Sequence, residues 1–471
     1  MTSERDPNSE ALAAALADAL GPVEVRDVAR LSGGASRETW SFDAVDAEGV
    51  VHELVLRRDP PGRPSDAGAI AREAAAMRAA RGAGVAVPEV LVDTDDPSVW
   101  GGAGMVMRRI AGETLARRIL REERYASARQ HLTAACGGAL ARLHRLDPTT
   151  VPGGEVDPPD PVRVLRGIID AFDEPVPTFE YTLRWLEEHR PEPVGQALLH
   201  GDFRLGNLVV DEQGLASVLD WELTHVGDPA EDLGWLCVRA WRFGAPLAVG
   251  GLGTREELLH AYAAAGGPAV DLATLRWWEV YGTLRWGAIC LTQTAVHLRG
   301  ELRSVELAAI GRRVGETEWD LLLLIAPDRA ELARARWVQR SADAAHEEQD
   351  DAAVRDDGLH GRPTAAELVE AVREFLTDHV QPGTSGGLAF HARVAANVLG
   401  MVERELRDSP AQLARRTAAL DELGVRSERE LARALRRGTL QVGDGPLLDV
   451  LAEGVVDRVG VANPRYLELP S

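Results

Sequence analysis

Lysine is absent from the 471-residue chain, so arginine supplies all 52 basic side chains. Any site that needs a fixed cation must therefore use the planar guanidinium fork rather than the point charge of an ammonium. The 74 acidic residues give a formal net charge of -22, which repels nucleic acid and anionic membranes. We therefore expect no nucleic acid and no membrane among the partners, and an anionic substrate would need a local basic pocket or metal ions.

Cysteine and long apolar runs are also scarce. Cys136, Cys237 and Cys290 are far apart and show no CxxC spacing, which disfavours a zinc site or a disulfide framework and favours buried thiols in a reducing compartment. The longest apolar runs, such as Leu321–Ala326, fall far short of the roughly 20 residues that span a bilayer. The acidic N-terminus lacks the pattern of a signal peptide. These absences predict a cytoplasmic protein.

Alternation of apolar and polar residues predicts a five-stranded lobe over residues 1–110. A helical pattern at Asp66–Arg81 separates the third strand from the fourth. The predicted strands are Val23–Leu31, Glu38–Val45, Val51–Arg58, Val87–Asp93 and Gly104–Ile110.

The rest of the chain is predicted to be mainly helical. Residues 111–340 form a helical lobe, interrupted between Leu198 and Asp220 by a loop–strand–turn–strand pattern. Residues 341–363 form an acidic linker by composition. A capping box from Thr364 to Glu367 then opens a small all-helical domain over residues 364–471. The expected fold class is α+β with an all-α C-terminal domain.

One segment carries the set of groups that phosphoryl transfer needs. Asp202 and Asn207 lie five residues apart in a loop that leads into a strand, and Asp220 ends the next strand. A carboxylate at Asp202 can take the proton of an attacking hydroxyl, while Asn207 and Asp220 can hold Mg²⁺. Each residue alone is better explained as a turn former or a strand-end cap. The three in this order, after a five-stranded lobe, favour catalysis.

The stretch His200–Asn207 with Asp220 resembles the HxDxxxxN…D pattern of the aminoglycoside phosphotransferase and choline kinase superfamily. The longer stretch Leu199–Trp235 is similar to one branch of it, which includes the phosphotransferase domains fused to acyl-CoA dehydrogenases. The resemblance covers about residues 31–340. It implies a two-lobed protein-kinase-like fold, ATP as co-substrate, Mg²⁺ as cofactor, and a small hydroxylated molecule as acceptor.

The resemblance also assigns residues of the N-lobe to nucleotide binding, namely Ser32, Gly33, Gly34, Ser36, Arg57, Glu73 and Met107. The first four lie in the expected nucleotide loop, and Met107 lies in the expected hinge beside the adenine. Arg57 occupies the position of the usual third-strand lysine, with Glu73 as its partner. This is a departure from the general kinase pattern, and a shift of one residue would give the role to Arg58.

Several functions remain open from the sequence. A hydroxyacyl-CoA thioester is the leading acceptor because the related branch is linked to acyl-CoA dehydrogenases, and aminoglycosides or amino alcohols are the alternative. A catalytically weak, kinase-like binding module and a metal-dependent hydrolase built on His200 and Asp202 are further alternatives. The C-terminal domain resembles a family of uncharacterised domains, and we expect it to mediate intramolecular or intermolecular contacts.

Overall fold

A computed structural model describes residues 7–31, 37–61, 68–152, 158–350 and 363–469. The chain forms two compact units. The first comprises residues 1–158 and 191–279, and the second comprises residues 159–190 and 280–471. The predicted domain boundaries therefore remain predictions. Helix α13 (Pro327–Asp350) runs into the expected linker, and the rest of that linker up to residue 362 lies outside the described residues.

The first unit begins with a five-stranded antiparallel sheet in the order β1-β2-β3-β5-β4. This sheet confirms the predicted N-lobe, although β4 begins three residues later than expected. The strands are β1 (Val23–Leu31), β2 (Glu38–Asp46), β3 (Val51–Arg58), β4 (Val90–Thr94) and β5 (Gly104–Arg108). The described residues of this part of the chain also form the helices α1 (Ser9–Leu20), α2 (Ala69–Gly82) and the short α3 (Pro97–Trp100).

Alternation along β3 sends its side chains to two different faces of the sheet. Leu54 and Leu56 are fully buried on the face that also packs Leu12 and Leu16 of α1. Val55 packs on the opposite face, in the cluster that includes Ile70 and other residues of α2. Neighbouring residues of β3 therefore lie on opposite faces of the sheet, and the side chains of Arg57 and Arg58 point to different faces.

Helices and short strand pairs complete the first unit. The helices are α4 (Ala116–Arg121), α5 (Ala126–Leu143), α8 (Ala230–Cys237) and α9 (Arg255–Ala264). The strands form two antiparallel pairs: β6 (Ala197–Leu199) with β9 (His225–Gly227), and β7 (Leu208–Val210) with β8 (Leu215–Val218). The predicted loop, strand, turn and strand are therefore present. Asp202 lies in the loop, and Asn207 and Asp220 lie next to the ends of β7 and β8.

The second unit is all-helical among the described residues. It contains α6 (Pro161–Asp170) and α7 (Pro177–Glu188), and helix α10 (Leu272–Leu298) passes into it from the first unit. The remaining helices are α11 (Val305–Gly311), α12 (Val314–Ile325), α13, α14 (Ala365–Phe375), α15 (Gly386–Glu422), α16 (Glu428–Arg437) and α17 (Gly445–Ala462).

Helix α17 lies at the centre of the second unit's core. Its Leu451 and Val455 are fully buried with Trp319 of α12 and Leu431 of α16. The capping box from Thr364 to Glu367 is present at the start of α14. The α+β fold class with a helical C-terminal region is confirmed. Among the described residues, no helix has both the length and the apolar character needed to cross a bilayer.

Candidate active site

The loop between β6 and β7 holds the carboxylate of Asp202 with several donors. The amide nitrogen of Asn207 donates to Asp202 Oδ2 at 2.6 Å and to the Asp202 carbonyl oxygen at 2.9 Å. The indole nitrogen of Trp235 donates to Asp202 Oδ1 at 2.8 Å, and Arg204 Nε lies 3.0 Å from the same oxygen. The candidate base is therefore fixed in one orientation. The spacing of Asp202 and Asn207 predicted their proximity, but nothing in the sequence pointed to Trp235 as a partner.

Asn207 and Asp220 are neighbours because a backbone bond joins the two strand ends. The Leu219 N–H donates to the carbonyl oxygen of Asn207 at 2.8 Å. Asp220 has a φ of 66°, one of three positive values among the described non-glycine residues. This conformation is sparsely populated for a residue with a Cβ, and such backbone is common at functional sites.

The two side chains offer the kind of oxygen ligand that a hard divalent cation prefers. The amide nitrogen of Asn207 is engaged by Asp202, which leaves its amide oxygen as the ligand atom. A guanidinium nitrogen of Arg57 donates to Asp220 Oδ1, so a metal ion at Asp220 would share this carboxylate with the arginine. Mg²⁺ takes oxygen ligands from one or two protein groups and completes its shell with phosphates and water. No group of three or more His, Cys, Asp or Glu side chains arranged to hold a metal occurs in the described parts of the chain.

His200 links two segments of the site through hydrogen bonds at both of its ring nitrogens. Its Nδ1 accepts from the Asp202 N–H at 3.1 Å, so its proton is on Nε2, which donates to the Leu219 carbonyl at 2.9 Å. Burial lowers the pKa of this imidazole, which keeps it neutral and preserves both bonds. One side chain thereby ties the Asp202 loop to the segment that carries Asp220.

Asp232 anchors the same loop, a role that the sequence did not reveal. Its carboxylate accepts from the backbone N–H groups of His200 at 2.7 Å and Gly201 at 2.9 Å. Asp232 Oδ2 also lies 3.2 Å from Nε2 of His144. The other ring nitrogen of His144, Nδ1, lies 2.9 Å from the Tyr262 hydroxyl. Burial disfavours the charged form of Asp232, but the histidines and the hydrogen bonds outweigh it and lower its pKa to about 2. Its place within the stretch Leu199–Trp235, which carries the family resemblance, is the sequence signal that could have identified it.

Arg57 connects the sheet to the candidate metal site. Its Nη1 donates to Glu73 Oε1 at 2.7 Å, and its Nη2 donates to Asp220 and, at 3.2 Å, to Glu222 Oε2. The structure therefore brings the predicted pair of Arg57 and Glu73 to Asp220. Arg58 instead lies on the other face of β3, where its Nε donates to Glu38 at 3.0 Å.

A second arginine that the sequence analysis missed shares this network. Arg37 Nη1 donates to Glu73, and its Nε donates to Asp59 Oδ1 at 3.0 Å. Its position directly after the expected nucleotide loop is the signal that could have identified it. Two guanidinium groups therefore converge on one carboxylate that is 3% exposed, and Asp59, Asp220 and Glu222 accept from the same two arginines.

Of the five other residues that were predicted to bind the nucleotide, the structure describes Met107. Met107 is opposite Val55 in the β3–β5 ladder, as Met105 is opposite Arg57, so both methionines belong to the sheet face of Arg57. Ser32, Gly33, Gly34 and Ser36 lie outside the described residues.

Comparison with known proteins identifies the family. Residues 27–278 match the model of the phosphotransferase enzyme family, APH, which covers the sheet, the Asp202 loop and the Arg57 network. The chain belongs to the phosphotransferase enzyme family. Residues 382–466 match a domain of unknown function, DUF6285, and this agrees with the predicted C-terminal domain of an uncharacterised family.

Two curated relatives show which proteins this phosphotransferase-family chain resembles. It is 28% identical over 324 residues to acyl-CoA dehydrogenase family member 10 of Mus musculus, covering 64% of this chain and 29% of the mouse protein. It is 31% identical over 192 residues to acyl-CoA dehydrogenase family member 11 of Gallus gallus, covering 38% of this chain and 24% of that protein. The chain thus spans less than a third of the length of either relative.

A solved structure supports the fold. The chain aligns with a protein from Ralstonia eutropha JMP134 assigned as an aminoglycoside phosphotransferase, with a TM-score of 0.53 and 21% identity. The alignment covers 68% of this chain and 98% of the other. This likeness confirms the predicted kinase-like fold of the family region.

Proposed function

We propose that this phosphotransferase-family protein transfers the γ-phosphate of ATP to a hydroxyl group of a small molecule, with Mg²⁺ as cofactor. The observation that carries the proposal is a chain of contacts: Asn207 donates to Asp202, the Leu219 N–H joins the Asp220 segment to Asn207, and Arg57 is bonded to Asp220. In the proposed reaction Asp202 is the base, Asn207 and Asp220 are the metal ligands, and Arg57 is the cation that binds the phosphates.

Each residue has a defined part in the proposed reaction. Asp202 orients the acceptor hydroxyl and takes its proton as the oxygen bonds to the γ-phosphorus and the bond from that phosphorus to the β-phosphate oxygen breaks, releasing ADP. Arg57, held by Glu73, binds phosphate oxygens. Asn207 and Asp220 would hold Mg²⁺, which supplies charge neutralisation on the phosphates.

For the acceptor we propose a hydroxyacyl-CoA, with support from the two acyl-CoA dehydrogenase relatives. The acceptor hydroxyl must reach Asp202, where the guanidinium of Arg204 lies 3.0 Å from the carboxylate.

Release of ADP from MgATP across a panel of hydroxyacyl-CoAs, amino alcohols and aminoglycosides tests the proposal. We expect the hydroxyacyl-CoAs to stimulate release and to become phosphorylated on oxygen, as measured by mass spectrometry of the product. Stimulation by aminoglycosides alone would overturn the choice of acceptor. MgATP binding without turnover for any acceptor would favour a kinase-like binding module.

Arg57 offers a prediction on nucleotide binding. Arg57→Ala removes the cation that joins Glu73 to Asp220, and we expect the KM for MgATP to rise by about 10–100-fold, as for a buried charge-assisted bond worth about 1.5–3 kcal/mol. Arg57→Lys should recover part of this loss, because the ammonium keeps the charge but loses the fork.

The matched control for Arg57 is Arg26→Ala on β1 of the same sheet, where the arginine side chain is 53% exposed. It should leave the KM for MgATP unchanged. An unchanged KM in Arg57→Ala would remove Arg57 from the nucleotide site. Steady-state kinetics at varied MgATP and saturating acceptor measure all three variants.

A further inference from the structure

Arg204 is bound closely to the carboxylate of Asp202. Its Nε lies 3.0 Å from Oδ1 and 3.2 Å from Oδ2. On its other side, the central carbon of the guanidinium lies 4.7 Å from the ring centroid of Trp241. The cation is therefore held between an aromatic face and an anion, and both contacts favour a charged, planar group.

Gly206 provides the space for this guanidinium. A Cβ at position 206 would lie 2.4 Å from Arg204 Nη1, well inside van der Waals contact. The φ of Gly206 is not among the positive values, so its backbone does not require glycine. A side chain at position 206 would clash with the guanidinium of Arg204, which could move away without disturbing the fold. Because Gly206 has no side chain, the guanidinium is not displaced from Asp202.

The tryptophan pair completes the support. Trp235 donates to Asp202 Oδ1, and its ring centroid lies 5.3 Å from that of Trp241. One aromatic ring therefore binds the carboxylate directly, while the ring beside it carries the arginine. Together with Asn207, which donates to Oδ2, these groups hold both oxygens of Asp202 and oppose rotation of the carboxylate.

We infer that Arg204 is a positioning residue for Asp202. Its guanidinium packs on the face of Trp241 and occupies the space left by Gly206. The inference rests on the proposed role of Asp202 as the base. An ordinary surface ion pair would contribute little and tolerate loss of one partner. Here the side chain is 24% exposed, its partner is 13% exposed, and its position is fixed from three sides.

The first test is Arg204→Ala in the full chain. We expect kcat to fall by about 100-fold, the scale of a small misplacement of a catalytic group, with an unchanged KM for MgATP. Methylguanidine, which can occupy the vacated space against Trp241, should restore kcat in a saturable manner. Arg117→Ala, at an exposed arginine of α4, is the control and should show neither loss nor rescue. Full activity of Arg204→Ala would overturn the inference, as would a loss that methylguanidine does not reverse.

The second test uses Gly206→Ala, which leaves Arg204 in the sequence but displaces it. We expect kcat to fall by about 10-fold in the wild-type background, a partial version of the same misplacement. In the Arg204→Ala background the same substitution should cost nothing further, because the group that it displaces is gone. Additive losses in the double variant would show that Gly206 does not act through Arg204 and would contradict the inference.

A third measurement does not depend on turnover. The indole N–H resonance of Trp235, assigned with Trp235→Phe, reports its bond to Asp202. We expect Arg204→Ala to shift this resonance and Arg117→Ala to leave it in place. If the wild type releases no ADP with any acceptor, the proposed function fails, yet the indole shift still decides whether Arg204 positions Asp202. An unmoved resonance would overturn the inference in either case.

Discussion

Asp202→Asn is expected to lower acceptor-stimulated ADP release by about 100–10,000-fold, the contribution of a positioned general base. The amide cannot take the proton of the acceptor hydroxyl. Binding of MgATP should persist, because Arg57, Glu73 and Asp220 are untouched by the change. Steady-state turnover and isothermal titration with MgATP measure the two effects separately.

The matched control for Asp202→Asn is Glu212→Gln, a carboxylate-to-amide change at an exposed residue of the β7–β8 turn. It should retain wild-type turnover. If Asp202→Asn also turns over at the wild-type rate, Asp202 is not the base, and the proposed function loses its central residue.

Asp232→Asn is expected to destabilise the fold by about 3 kcal/mol, the scale of breaking a buried charge network by changing one partner. The carboxylate accepts from His200 N–H, Gly201 N–H and His144. An amide of the same shape presents an N–H₂ group where one of these donors needs an acceptor, and the buried donor is left unsatisfied. Urea unfolding of the full chain measures the change.

The contribution of Asp232 should also depend on pH in a defined direction. Its pKa is lowered to about 2 from an ordinary value of 3.8. A lowered carboxyl pKa stabilises the folded state fully above the unfolded value, and this stability, about 2 kcal/mol, is lost as pH falls toward the folded value. The difference between wild type and Asp232→Asn should therefore shrink below pH 3.8.

The control for both Asp232 measurements is Asp18→Asn, at an exposed position of α1. It should unfold like the wild type at each pH. An Asp232→Asn protein as stable as the wild type would contradict the anchoring role. A stability difference that grew as the pH fell would contradict the direction of the pKa shift.

The position of Arg57 shows what could be predicted from the sequence and what could not. The family resemblance left two neighbouring arginines of β3 as candidates, and only the alternation of side chains in the folded sheet distinguishes them. Arg57 faces Glu73 and Asp220, while Arg58 is buried against Glu38. Period-two alternation was readable from the sequence, but which face of β3 meets the segment of Asp220 depends on packing with residues 163 positions away along the chain.

The supports of Asp202 were less predictable still. Trp235 and Asp232 follow Asp202 by about thirty residues on α8. Trp235 donates to the Asp202 carboxylate, and Asp232 accepts from the backbone N–H of Gly201. Most tryptophans and buried acids at helical spacing serve packing alone, so neither residue type by itself signals a contact with a base.

The sequence by itself determined the five-stranded sheet, the helical remainder and the order of Asp202, Asn207 and Asp220, because periodicity and close spacing are local properties of the chain. Only the tertiary structure decided that Arg37 joins Arg57 at Glu73, that Asp232 holds the backbone of the loop, and that Arg204 lies between Trp241 and Asp202. Those contacts join segments that are distant in sequence or depend on side-chain direction, and burial and hydrogen bonding in the folded chain select them.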